Sequence, residues 1–94
     1  MDDVELFPSL SHCIETTAKE EFWNLVNQYM EGGKQDKELE RRIELLKSFL
    51  ESMNFKKLRS QSERHLLKGK QVKFVISWKE GKSSYEMVVI KAMD

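Results

Sequence analysis

The sequence has only one cysteine, one proline, two histidines and four glycines in 94 residues. A single cysteine, Cys13, excludes an intrachain disulfide and a cysteine-rich zinc site. The longest unbroken apolar run, Met87–Ile90, is far too short to span a bilayer. The first residues are acidic and lack the basic start of a secretory signal. We therefore expect a soluble, cytoplasmic protein with no membrane association.

The formal net charge at pH 7 is zero, but the charged residues are unevenly distributed along the chain. Residues 1–54 hold 12 acids and 6 basic residues, whereas residues 55–94 hold 4 acids and 10 basic residues. The neutral total argues against a strongly basic nucleic-acid-binding protein, but the polarised halves allow a local basic surface. The alternative is that the two halves pack together and complement each other in charge.

The length predicts a single domain over residues 1–94, with residues 1–16 as a partly ordered N-terminal segment.

Two amphipathic helices are predicted in the first half of the chain. Thr17 and Glu20 form a capping-box pattern that predicts the start of the first helix, and Gly32 offers its stop. Asp36 is the predicted N-cap of the second helix, and Asn54 suits the left-handed position after its end. The short loop between them predicts an antiparallel helix hairpin. The apolar stripes are Ala18, Phe22, Leu25 and Tyr29 in the first helix, and Leu39, Ile43, Leu46, Leu50 and Met53 in the second.

The last part of the chain predicts a β-hairpin. Apolar and polar residues alternate from residue 72 to residue 79, and Glu80 and Gly81 form the turn. Pairing Lys79 with Lys82 puts the large residues of both strands on one face, which the helices would cover. The opposite face carries Val75, Val88 and Ile90, so it is more apolar than a fully solvent-exposed face would be.

Two interpretations remain open for the segment between the helices and the hairpin. In one, residues 55–62 form a third strand. In the other, Ser60 and Glu63 form a second capping box, and a short helix runs to Lys68 with Gly69 as its stop. The fold class is α+β, with an N-terminal antiparallel helix hairpin packed on a small antiparallel sheet of two to three strands.

The helical interpretation leads to an alternative fold, a winged helix-turn-helix. Its third helix would enter the major groove of DNA, and the hairpin tip, Lys79 to Ser83, would be the wing. The segment from Asn54 to Arg59 is long for the tight turn that joins such helices, and the total charge is unfavourable. Element order alone does not establish function.

We expect a small, non-catalytic protein-interaction or adaptor module that self-associates, so that its partner is another protein or a second copy. The expected interface residues are Val75, Val88, Ile90, Leu45 and Phe49. The alternative function is nucleic-acid binding through the basic stretch 56–73. Its candidate contacts are Lys56, Lys57, Arg59, Arg64, Lys68, Lys70 and Lys73.

The chemistry-bearing residues do not form a recognisable catalytic or metal pattern. His12 and Cys13 are adjacent, which on a helix directs them about 100° apart, a poor arrangement for two ligands of one metal. Nothing in the spacing brings Cys13 to His65 as a nucleophile and base. Gly32-Gly33 lacks the spacing and the Lys-Ser/Thr ending of a phosphate loop. We expect no enzyme activity, no metal and no cofactor.

Overall fold

The computed structural model describes residues 3–33 and 35–90. The elements are β1 (Val4–Leu6), α1 (Ile14–Gln28), a π-helical turn (Tyr29–Gly33), α2 (Lys37–Ser52), α3 (Phe55–Leu66), β2 (Gln71–Lys79) and β3 (Lys82–Ile90). The strands form one antiparallel sheet in the order β1-β2-β3. Helix α1 packs on β1, α2 on both strands of the hairpin and α3 on β2, while α1 also contacts α2 and α3. The predicted α+β class, with helices on a small antiparallel sheet, is confirmed.

Helix α1 begins one turn before the expected capping box. Its N-cap is Cys13, in extended conformation, and Ile14 is fully buried in the core. The Thr17 hydroxyl donates to the Cys13 carbonyl at 2.9 Å, so it lies inside the helix rather than capping it. The capping-box prediction for Thr17 and Glu20 is therefore wrong. Burial of Ile14 explains why the helix extends further upstream.

The connection between α1 and α2 follows the predicted signals. Gly32 has φ 139°, a conformation that side chains rarely adopt, and it ends the helical path after α1. Asp36 is the N-cap of α2, and its Oδ1 accepts from the Leu39 amide at 3.2 Å. The predicted N-cap of α2 is confirmed.

The ambiguous segment is a helix, and it begins earlier than the helical interpretation proposed. Asn54 has φ −86° and is the N-cap of α3, with its Oδ1 accepting from the Lys57 amide at 3.3 Å. Asn54 is therefore not a left-handed residue that ends α2. The strand over 55–62 and the start at Ser60 are both wrong, because Leu58 and Ser62 form a buried helical face and the Phe55 ring packs edge-on against Phe49, centroids 5.4 Å apart.

The hairpin has the predicted register. Lys79 pairs with Lys82, and the pairing continues without interruption to Gln71 and Ile90. Glu80 (φ 54°) and Gly81 (φ 78°) form the two-residue turn, and positive φ at both positions is typical of type I′ hairpins. The large residues of both strands therefore share the face toward the helices, as expected.

The third strand comes from the N-terminal segment rather than from residues 55–62. Val4 pairs with Ile76 and Leu6 with Phe74, and all four side chains are buried. This is the sheet face that the helices cover, here called the inner face. The core that it forms with the helices contains Val4, Leu6, Ile14, Ala18, Leu25, Leu39, Leu45, Leu46, Phe49, Leu58, Val72, Phe74 and Ile76.

Candidate functional site

The outer face of the sheet, opposite the helices, is the first candidate surface. Along β2 and β3 the side chains of Val75 and Val88 alternate with the inner-face residues, and both are only partly buried. Ile90 is 36% exposed. Lys73 lies among them and forms an ion pair with Glu5 of β1, Nζ to Oε2 2.8 Å. No described helix packs against these residues. This face therefore carries an apolar strip, formed by Val75, Val88 and Ile90, together with a few charged side chains.

The free edge of β3 is the second feature of this surface. Within the described residues, β3 has a strand neighbour only on the β2 side. In a hairpin with a two-residue loop the pair that flanks the loop, here Lys79 and Lys82, is hydrogen-bonded, and the pattern alternates along the strands. The backbone amides and carbonyls that point away from β2 are therefore those of Ser83, Tyr85, Met87 and Val89. We call these four residues the open edge.

Two of the five expected interface residues are not on the surface. Leu45 and Phe49 are fully buried. Helix α2 lies between α1 and the hairpin, so it contacts neighbours on two sides and buries a wider stripe than a helix on one sheet would. Leu45 and Phe49 belong to the core, and the candidate interface keeps Val75, Val88 and Ile90.

The seven basic candidate residues do not form one patch. Arg59 forms an ion pair with Glu63, Nε to Oε1 2.8 Å, and Lys73 lies on the outer sheet face beside Glu5. The exposed side chains of α3 include Lys56, Lys57 and Arg64, and Lys68 is exposed just after the helix. Lys70 is partly exposed at the approach to β2. The structure therefore places six of the seven on α3 or directly after it, and it places Lys73 apart from them on the outer sheet face.

The elements required by the winged alternative occur in order. Three helices are followed directly by the hairpin, and Lys79 and Lys82 are exposed at its tip. Only Met53 and Asn54 separate α2 from α3, so the turn is shorter than the sequence indicated. Helix α3 has 12 residues, more than the two turns expected from a start at Ser60. The objection that the turn between these helices is too long is therefore removed.

The histidines and the cysteine have separate surroundings. Cys13 Sγ lies 3.4 Å from Thr16 Oγ1, whereas His12 Nε2 lies 3.8 Å from Glu20 Oε1. Cys13 lines a small cleft with Arg59, in the first turns of α3. His65 is in the last turn of α3, roughly 9 Å beyond Arg59 along the helix axis at a rise of 1.5 Å per residue. Across residues 3–33 and 35–90, no three His, Cys, Asp or Glu side chains are grouped so as to hold a metal ion.

The segment that sequence reasoning missed is β1. A three-residue strand gives almost no periodic signal, and Val4 and Leu6 alone flank one acid. Their spacing of two, next to Pro8, was the available hint.

Among the described helices none is long and apolar enough to cross a membrane.

Comparison with known proteins gives a family and no activity. No curated protein and no solved structure matches the chain. A family model covers nearly all of the sequence, including every strand and helix described above. The chain belongs to the protein family whose model matches residues 4–91.

Proposed function

We propose that the protein is a non-catalytic interaction module that self-associates by pairing the open edge of β3 with the same edge of a second copy. The observation that carries this proposal is the unbroken edge: β3 pairs with β2 over nine consecutive residues, with no bulge and no proline. Proteins usually protect long edge strands with charges, bulges or proline, because free backbone groups recruit other strands. On β3 the charged residues are only Lys82 and Glu86.

A two-fold register of this pairing that satisfies both charge and hydrogen bonding is centred on Met87. Centring it on Met87 puts Tyr85 opposite Val89 and Glu86 opposite Val88, so that no like charges face each other. A centre on Glu86 would oppose two carboxylates. The Met87 register also uses only the outward-pointing backbone groups of the open edge. The outer faces of two copies would then form one continuous surface that joins their apolar strips.

Light scattering at micromolar concentration tests the proposal. The native chain is expected as a dimer, and Val89→Pro is expected to raise the dimer dissociation constant at least about fivefold, because each dimer loses two hydrogen bonds. The proline removes an outward amide and leaves the β2–β3 hydrogen bonds intact. Val89→Thr keeps the amide and is the matched control. A strict monomer, or a dimer that Val89→Pro does not weaken, contradicts the proposal.

Nucleic-acid binding is the second candidate function, favoured by the exposed basic face of α3. Lys56, Lys57 and Arg64 lie on this helix, and the hairpin tip adds two further lysines. Contacts of this kind give an affinity that falls steeply with salt. The double variant Arg64→Ala, Lys68→Ala is expected to weaken binding to duplex DNA while leaving the fold intact. Equal binding by the parent and the double variant contradicts this function.

A further inference from the structure

A cleft of about 540 Å³ opens where the end of α1, the first half of α2 and the end of β2 meet. Its volume is within the range usual for ligand sites. Val26 and Ile43 supply aliphatic surface from the two helices, and both are partly buried. The cleft lies on the helical side of the sheet, away from the outer face and its apolar strip.

Two aromatic side chains line this cleft. Trp78 continues the inner-face row of β2, whose earlier members Phe74 and Ile76 are fully buried, yet Trp78 is 40% exposed. The row therefore extends past the cover of the helices and leaves an indole accessible. Tyr29, in the turn after α1, lines the same cleft. Exposed rings in a concave site offer their faces to a cation or to a planar group.

Two carboxylates lie beside these rings. Glu40 and Glu44 are four residues apart, on the same side of α2, and both line the cleft. Like charges at this spacing destabilise a helix, so a cation between them would relieve repulsion. The Tyr29 hydroxyl donates to Glu40 Oε1 at 3.0 Å and holds that carboxylate in place. The same hydrogen bond raises the pKa of Tyr29 above its ordinary value.

We propose that the cleft binds an arginine side chain of a partner peptide, with the guanidinium stacked on Trp78 and hydrogen-bonded to Glu44 and the remaining acceptors of Glu40. Arginine fits better than lysine, because its planar, weakly hydrated group stacks on rings and donates to two carboxylate oxygens together. Arg41 also lines the cleft, yet two acids and one base leave a negative balance. The inference does not depend on self-association.

An NMR titration of the full-length, ¹⁵N-labelled protein provides the test. The probe is a short capped peptide of glycine and serine with one central arginine, and the control replaces that arginine with citrulline, its neutral isostere. The arginine peptide is expected to shift the Trp78 indole N–H and the amides of Glu40 to Glu44. The citrulline peptide is expected to bind at least about threefold more weakly, since it lacks the charge that stabilises cation–π contacts.

Matched variants separate the cleft from general charge and from general aromatic contact. Trp78→Leu is expected to weaken arginine-peptide binding by about two- to thirtyfold, whereas Trp23→Leu, on an exposed part of α1, leaves it unchanged. Glu44→Gln is expected to weaken it, and Glu51→Gln, exposed on the same helix outside the cleft, is its control. The amide spectrum of each variant reports directly whether the fold is retained.

Three results would overturn the inference. They are an absence of shifts at the cleft, equal binding of the arginine and citrulline peptides, and equal weakening by Glu44→Gln and Glu51→Gln. Equal binding of the two peptides would show that the carboxylates play no part. Equal weakening by the two glutamine variants would show that the peptide follows the overall charge of the acidic helix.

Discussion

The Cys13 thiol has chemistry that its sequence position does not reveal. The Thr16 hydroxyl, 3.4 Å from Sγ, and the Thr16 amide both stabilise the thiolate, and the charge of Arg59 adds to their effect. Together they hold the pKa of Cys13 below its ordinary value, although partial burial opposes them. A lower pKa gives more thiolate at neutral pH, and the thiolate is the reactive form.

Replacing Thr16 by valine is therefore expected to raise the pKa of Cys13 and to slow its alkylation by iodoacetamide near neutral pH. The pH dependence of the alkylation rate measures both effects. Thr17→Val is the control, because the Thr17 hydroxyl donates to the Cys13 carbonyl and not to the sulfur. A rate profile for Thr16→Val that coincides with the native profile would contradict the assignment.

Individual side chains also show how far helical periodicity predicts burial. Ala18 and Leu25 are buried as their spacing on α1 predicts, whereas Phe22, on the same row, is only partly buried. On α2, Ile43 on the central row is only partly buried, whereas Leu45, beside that row, is fully buried. Periodicity gives the direction of a side chain, but the number of elements packed around it depends on the tertiary fold.

Among the features of the secondary structure, the boundary between α2 and α3 was predicted least well from the sequence. Asparagine suits both the left-handed position after a helix and the N-cap of the next one, so Asn54 alone does not distinguish an ending from a beginning. By contrast, the hairpin was fully predicted, because side chains alternate with a period of two and the two-residue turn fixes the register. The open edge of β3 follows from that register once the sheet order is known.

Substitutions at Asn54 distinguish its two roles. As an N-cap, Asn54→Ala is expected to lower the free energy of unfolding by about 1 kcal/mol, whereas Asn54→Asp is nearly neutral and Asn54→Gly costs a few tenths. In a left-handed position, glycine would instead be the most stabilising of the three. Urea unfolding followed by circular dichroism measures the differences. Glycine above the native chain in stability would contradict the N-cap assignment.

At the scale of the whole molecule, strand β1 completes the three-stranded sheet. Strand β1 pairs with β2 across most of the chain length, and Leu6 is 2% exposed against the fully buried Phe74. Helix α1 packs on β1 as well as on α2 and α3. The N-terminal segment thus connects the sheet to the helical layer, and its burial should couple the unfolding of both.

Leu6→Ala is accordingly expected to cost about 2–5 kcal/mol, the usual range for deleting a buried leucine side chain. Leu10→Ala is the control, since Leu10 is 59% exposed and a surface change of this kind typically stays within about 0.5 kcal/mol. Urea unfolding should be followed both by the helical circular dichroism signal and by the Trp78 indole resonance in the NMR spectrum. Because one core joins the helices and the hairpin, both signals are expected to shift together in Leu6→Ala. Separate midpoints, or a hairpin transition that moves while the helical one stays, would show that the two layers unfold independently and that the chain is not one cooperative domain.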